Sequence, residues 1–295
     1  MLAYLIFRLA VFLARRLPER WGIAIARWLG GLIFRLSPLA GAGRDNARHV
    51  LGPGADPAEA SRLARQAFQN RLLNYYDLVR LSGMPLDEIT RRMTIEGIEH
   101  LERIVTGKQG AVVVSGHVGP TELMIQAVAS LGYPLIGIAE HLEPERFHQY
   151  VIGLRSAHGL NLISPQDSLL DVYRRIKRGE VLLSAIDRDS TDTGLVVDFL
   201  GAPAWVPDGY ARVAVRASVP LIFGFCHRTD DGAMAKVYPP IYPDRSLGKE
   251  EAIMDLIQRA LRLFEEAVRE QPEEWHLSTP IWRLAEVRLA PTGAT

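Results

Sequence analysis

His117 lies in a short turn, Ser115-Gly116-His117-Val118-Gly119, and Glu122 follows it by five positions. An imidazole and a carboxylate so placed are the parts of a general base and its orienting acid. On one continuous helix a spacing of five would put them on different faces. With a turn between them, the ring is expected to fold back over the helix start, so that Glu122 accepts a hydrogen bond from one ring nitrogen. That bond fixes the tautomer and leaves the other nitrogen as the base. A helix N-terminus also favours the ionised form of Glu122. Ser115 does not stand in a Gly-x-Ser-x-Gly elbow, so the nucleophile is expected to be a substrate hydroxyl. The plainer reading of the same residues is a histidine closing a strand end beside a solvated glutamate.

A second group runs Ile186-Asp187-Arg188-Asp189-Ser190-Thr191-Asp192-Thr193-Gly194. Three chemistries fit it. The two aspartates could hold a divalent metal with a nucleotide sugar, or position a substrate while Arg188 holds an acidic headgroup. They could also be turn formers, as Asp, Ser, Thr and Gly commonly are. Arg155 follows the acidic Glu143 and Glu145 and precedes Gly159; it reads as a solvated helix residue or as an anion contact between the two groups. His117, Glu122 and Asp187 match no metal-ligand spacing and lack a second nearby histidine, so no metal is expected. Trp275-His276 ends the last helix and is read as packing against the sheet.

The elements that must hold these residues are legible from periodicity. Ala111 to Val114 is an apolar run with three β-branched residues, as in a strand buried on both faces. Pro120 suits the first position of the following helix, whose Leu123, Met124, Ala127, Val128 and Leu131 recur at helical spacing. Val181 to Ile186 reads as another buried strand, so Asp187 and Asp189, like His117, are expected where a strand ends, a favoured place for chemistry in an open α/β sheet. Further strands are expected over 93–95, 133–139, 160–163, 195–200, 220–225 and 233–237. Helices are expected over 44–51, 56–81, 85–91, 97–106, 144–158, 168–178, 207–217 and 247–269. The alternation predicts an α/β fold, a mostly parallel central sheet flanked by helices. No dinucleotide fingerprint follows Gly41-Ala42-Gly43, where a third glycine in register is missing.

Over 295 residues Lys plus Arg balances Asp plus Glu at 34 each, and mean hydropathy is just above zero. The balance hides an asymmetry: residues 1–50 hold eight arginines against Glu19 and Asp45, a net +6, so the remainder carries −6. The apolar run from Met1 to Ala14 is shorter than the roughly 20 residues of a bilayer span, and Arg15 and Arg16 follow it, the reverse of a secretory signal. With Trp21, Ile25, Trp28, Leu29, Leu32, Ile33 and Leu36 on a second helix, 1–40 reads as an amphipathic hairpin in the membrane interface. Its arginines would reach the headgroups of an anionic surface. Residues 41–288 form the α/β domain and 289–295 a loose tail. Nucleic acid is not an expected partner. Cys226 is the only cysteine, which excludes an intramolecular disulfide.

The spacing His117-x4-Glu122 resembles the histidine–four–acid motif of the glycerolipid acyltransferases. More of the chain, about residues 1 to 282, is similar to one branch, the lipid A lauroyl/myristoyl and phosphatidylinositol-mannoside acyltransferases. The segments that carry this are Arg44-Asp45-Asn46-Ala47-Arg48-His49-Val50-Leu51, His117 to Glu122, Arg155 with Gly159, and Asp187-Arg188-Asp189 through Gly194 to Asp198-Phe199-Leu200-Gly201-Ala202-Pro203. Pro272-Glu273-Glu274-Trp275-His276 completes the set. The resemblance implies transfer of a fatty acyl group from a thioester to a hydroxyl of a membrane glycolipid or lysolipid. The donor would be an acyl carrier protein or coenzyme A thioester, with no other cofactor.

His117 then corresponds to the base, Glu122 to its partner, Arg155 to a basic residue near a phosphate, and Asp187 and Asp189 to an acidic element beside the site. Some members carry a glutamate near the aspartate of the second strand; here Val196 and Val197 precede Asp198, so that glutamate's role does not transfer. The resemblance also implies peripheral or monotopic attachment to the cytoplasmic face of the cell membrane. The backbone N–H groups after Gly119 are the expected oxyanion donors. An acyl-thioester hydrolase and a non-catalytic lipid-binding relative are the alternatives.

Overall fold

The computed structural model describes residues 2–164 and 169–282. The expected tail 289–295, and Ser168 at the start of one expected helix, lie outside them. Helices α1 (Leu2–Arg16) and α2 (Glu19–Leu36) are parted by Leu17 and Pro18. Then come α3 (Ala40–Leu51), α4 (Pro57–Leu81), α5 (Leu86–Arg91), β1 (Met93–Glu96) and α6 (Ile98–Thr106). The start of α4 is set by Asp56, whose side chain accepts from the Ala58 N–H, with Pro57 in the first turn where its missing N–H costs nothing.

The central segment follows: β2 (Ala111–Ser115), α7 (Thr121–Ser130), β3 (Leu135–Ile138), α8 (Glu145–Arg155), β4 (Asn161–Ile163), α9 (Leu169–Lys177) and β5 (Val181–Ala185). The chain closes with β6 (Leu195–Phe199), β7 (Ala202–Val206), α10 (Gly209–Ala217), β8 (Leu221–Thr229), β9 (Gly232–Val237) and α11 (Lys249–Glu270).

Seven strands form one sheet in the order β1-β9-β8-β2-β5-β3-β4. All neighbours are parallel except β8 and β9. The fold is therefore α/β with a mostly parallel sheet flanked by helices. β6 and β7 stand apart as an antiparallel hairpin. β7 escapes detection in the sequence because Pro203 interrupts its pattern; a two-stranded hairpin tolerates proline because both of its strands are edges. Val112 and Val114 are wholly buried. They share a core with Ile253, Ile257 and Phe264 of α11 on one side, while Leu101 and Ile104 of α6 pack with Val181 and Ile222. Each such aliphatic side chain contributes about 1.5–3 kcal/mol on burial.

The N-terminal helices are not a separate unit from the α/β body. Phe34 and Ala40 belong to the same core as Phe68 and Val114. A Cβ at Gly30 would lie 2.6 Å from the Gln69 Cα, so α2 and α4 touch backbone to backbone. Glu19, at the start of α2, is gripped by the two terminal guanidinium nitrogens of Arg92 at 2.6 and 3.0 Å. The Arg92 side chain holds the Glu19 carboxyl below the usual carboxylate range against the opposing effect of burial. Not all the basic residues point outward: Arg15 donates to the Val79 carbonyl and Ser82, and Arg44 to Ser61. The opposite face of α1 and α2 is exposed and apolar, with Ile6, Leu9, Phe12, Trp21, Trp28 and Leu36 among its residues. Among the described residues no single helix is long and apolar enough to cross a membrane.

Candidate active site

β2 and β5 are parallel neighbours in a register that pairs Ala111 with Val181 and Ser115 with Ala185. Continued two residues past the strand ends, the same register brings His117 beside Asp187. The sheet does close this gap. The His117 backbone N–H donates to Asp187 Oδ2 at 2.8 Å, and ring Nδ1 lies 2.8 Å from Oδ1. The Trp275 indole N–H donates to Oδ2 at 2.9 Å. Asp187 is wholly buried at its side chain, whereas the His117 side chain keeps a third of its surface exposed. Burial alone would raise the Asp187 pKa; the His117 imidazole, its backbone N–H and the Trp275 indole outweigh it and hold the carboxyl below its ordinary value. An ionised Asp187 accepts only, so Nδ1 carries the proton and Nε2 presents a lone pair. Nε2 makes no hydrogen bond among the described residues.

Glu122 does not fill the place expected for it. It begins α7 buried, and its Oε1 accepts from Arg155 Nε and Nη2 at 3.1 and 2.8 Å. Its Oε2 is buried without a partner among the described residues, and no hydrogen bond joins it to His117. The physical reason lies in the backbone: Pro120 sits before the helix rather than at its first position, at φ −78° and ψ 65°. The chain turns at Gly119, φ +70°, and the Glu122 carboxylate is taken up by Arg155 of α8. Arg155 is thereby committed to a carboxylate, which together with burial governs its pKa: the Glu122 charge raises it and desolvation opposes.

The other expected contacts are also spoken for. Arg188 pairs with Glu140 at 2.7 Å. Asp189 Oδ1 accepts from the Thr191 backbone and hydroxyl, and Oδ2 from the Gly194 N–H and the Trp205 indole, all at 2.9 Å. That is the turn-forming role, and it fastens the loop to the β6–β7 hairpin. The N–H groups expected as oxyanion donors are engaged: Gly119 donates to the Glu274 carbonyl, Thr121 to the Gly119 carbonyl, and Glu122 to Asn74 Oδ1.

Trp275 and His276 prove to be parts of the site rather than packing alone. Residues 274–276 run antiparallel to 117–119, with the His276 N–H donating to the His117 carbonyl at 2.9 Å. The two imidazoles are 6.0 Å apart between centroids. Burial, the main cause, pushes His276 down to about 3, against the Gly119 carbonyl and Asp187. His276 therefore stays neutral, its Nε2–H directed at the Gly119 carbonyl at 3.3 Å. Helix α4 completes the site from the other side: Asn70 donates to the Glu273 carbonyl, and Asn74 caps α7. Pro272, which ends α11 and starts a short 3-10 turn at Pro272–Glu274, was the one sequence signal that the chain changes direction there. The α4 residues gave no signal, because a polar residue on an amphipathic helix reads as solvent-facing.

Among the described residues no cluster of three or more His, Cys, Asp or Glu side chains could hold a metal ion. The arrangement is a histidine–aspartate pair with one free imidazole nitrogen at an accessible edge, suited to taking a proton from an incoming hydroxyl.

The chain is 28% identical over 253 residues to the phosphatidylinositol mannoside acyltransferase of Mycobacterium tuberculosis, covering 81% of this chain and 76% of that one. It is 26% identical over 257 residues to the protein of the same name from Mycolicibacterium smegmatis, covering 85% and 82%. Among solved structures it matches the 1-acyl-sn-glycerophosphate (LPA) acyltransferase PlsC from Thermotoga maritima with a TM-score of 0.41 and 14% identity, over 86% of this chain and 100% of that chain. The profile of the bacterial lipid A biosynthesis acyltransferases matches residues 1–284, and the chain belongs to that family of acyltransferases.

Proposed function

We propose that this acyltransferase moves a fatty acyl chain from an acyl carrier protein or coenzyme A thioester to a hydroxyl of a membrane glycolipid or lysolipid, with His117 as the base. The observation that carries the reading is the 2.8 Å contact between His117 Nδ1 and the buried, ionised Asp187, which leaves Nε2 unbonded at the exposed edge. Nε2 takes the proton of the acceptor hydroxyl as its oxygen attacks the thioester carbonyl. Asp187 steadies the resulting imidazolium. Collapse of the tetrahedral intermediate breaks the carbon–sulfur bond, and the thiolate leaves with the proton returned by Nε2. A positioned base supplies about 10²–10⁴-fold, and holding acceptor and donor together supplies more. Glu122 acts one step removed, by fixing Arg155.

The test is thiol release from an acyl thioester with and without a lysolipid or glycolipid extract. Acceptor-dependent release by the unaltered protein, lost in a folded His117→Ala variant, is expected. Acceptor-independent release would make the protein a hydrolase, and full activity in His117→Ala would remove the mechanism.

The exposed apolar face of α1 and α2 supports attachment to the cytoplasmic face of the cell membrane, with Trp21 and Trp28 at the interface. Phe12→Glu with Trp28→Glu, both on exposed positions, should move the protein from sedimenting with anionic vesicles to the supernatant without changing its unfolding temperature. Unchanged sedimentation would remove this attachment.

A further inference from the structure

Arg155 and Arg71 each bond a segment close in the chain to the His117 site, Arg155 through Glu122 and Arg71 through Ser278, and among the described residues only Arg155 of the two is paired with a carboxylate. Arg155 is paired with Glu122. Arg71 of α4 is half-buried and, among the described residues, has no carboxylate within 4 Å. Its Nη1 donates to Ser278 Oγ at 2.6 Å and its Nη2 to the Tyr75 hydroxyl at 3.4 Å. Its Nε makes no hydrogen bond among the described residues. The guanidinium lies near enough to His276 to depress that imidazole, and His276 is bonded to the His117 backbone. Tyr75, one turn on along α4, is exposed and lies within electrostatic range of Arg155. Asn70 and Asn74, the other polar residues of this face, are used up in holding residue 273 and the start of α7. What remains is a guanidinium with no carboxylate partner among the described residues and a phenol beside it, both on α4, the helix that holds residue 273 and, through Ser278, the segment paired with residues 117–119.

A guanidinium fork of this kind is matched to phosphate oxygens. We infer that Arg71 and Tyr75 form an anion subsite that holds a phosphate group of one of the two substrates while its reacting group lies at His117. The inference deepens the transfer reading of this site and rests on it for the word substrate. Two molecules carry the same chemistry, the phosphodiester of an anionic lipid acceptor and the phosphates of a coenzyme A donor.

The experiment is calorimetric titration of the full chain with two soluble probes, coenzyme A and dihexanoylphosphatidylinositol below its micelle concentration, with pantetheine and dihexanoylglycerol as phosphate-free controls. Arg71→Gln keeps a neutral donor for Ser278 and loses the charge; Arg71→Lys keeps the charge and loses the fork. Loss of a charged hydrogen-bonded contact predicts that Arg71→Gln weakens at least one phosphate probe by about tenfold or more, with Arg71→Lys between it and the unaltered protein and the controls unchanged. An effect on coenzyme A alone assigns the subsite to the donor, and on the lipid alone to the acceptor.

Equal affinities in all three proteins, or no binding of either probe by the unaltered chain, overturns the subsite. Should Arg71→Gln fail to fold, protection of Arg71 from phenylglyoxal by the probes, read by peptide mass spectrometry, replaces it, and absence of protection is the overturning result. Because binding is read without turnover, a protein that binds phosphate through Arg71 yet transfers no acyl group would sink the transfer reading and leave the subsite standing.

Discussion

Which carboxylate orients His117 can be decided by replacing each with its amide. Asp187 Oδ2 accepts two N–H groups, from the His117 backbone and the Trp275 indole, and Oδ1 accepts the Nδ1 proton. In Asp187→Asn the carbonyl oxygen must keep the position with two donors, so the new NH2 faces Nδ1. Two donors cannot share that bond. The imidazole answers by moving its proton to Nε2, and the nitrogen that should accept from the substrate then carries a hydrogen. The variant keeps the shape and hydrogen bonds of the site while losing the base and the charge that steadies the imidazolium.

The expected loss is the whole effect of a positioned base, about 10²–10⁴-fold in kcat, with little change in unfolding temperature. Glu122→Gln should behave differently. It leaves Arg155 facing a neutral amide, in a pair whose carboxylate is buried and whose guanidinium is one-third exposed. The cost should fall on stability, about 1–3 kcal/mol, and on KM, with kcat reduced less than tenfold. Steady-state kinetics with saturating acyl thioester, alongside thermal unfolding of each variant, checks both. The reasoning is refuted if Asp187→Asn keeps more than a tenth of wild-type kcat, or if Glu122→Gln loses as much kcat with no loss of stability.

Other consequences concern residues 274–276 and the turn 117–119 with which they pair. His276 is depressed to about 3 in the folded chain, mainly by burial, from an ordinary value near 6.5. The unfolded chain thus binds a proton below pH 6.5 that the folded chain does not. This group's contribution is full above pH 6.5 and is lost at up to about 1.4 kcal/mol per pH unit as pH falls toward 3. Denaturant unfolding from pH 7.5 to 4 should show a steeper decline in the wild type than in His276→Gln; parallel curves would contradict the buried neutral ring. Gly119→Ala should be among the severe substitutions, since its Cβ would fall 2.0 Å from the Cys226 carbonyl oxygen at φ +70°. A loss of about 3 kcal/mol or more, seen as an unfolding midpoint lowered by several degrees, is expected, and an unchanged midpoint would show that the turn after β2 can move off β8 without cost.

The sequence by itself determined most strands and helices, β7 excepted, and the place of His117 at the end of β2. A run such as Ala111 to Val114 has few alternatives to a buried strand, a glycine-rich turn must follow it, and helical periodicity marks α4 and α11 from end to end. These are local properties, carried by residues within a turn or two of one another. The identity of the acid partner was of another kind. Glu122 was close to His117 in sequence and Asp187 was 70 residues away, but the register of β2 on β5 holds that separation constant along the whole pair and delivers Asp187 to the ring.

Pairing partners in a sheet depend on strand order, and β5 enters beside β2 only after β3 and β4 have been laid down. The same holds for Trp275, His276 and Arg71. Each looks ordinary in its own segment, and each is brought in because the segment after α11 pairs with residues 117–119 and α4 packs on that segment. Local chemistry placed the histidine; only the assembled sheet and its covering helices decided what surrounds it.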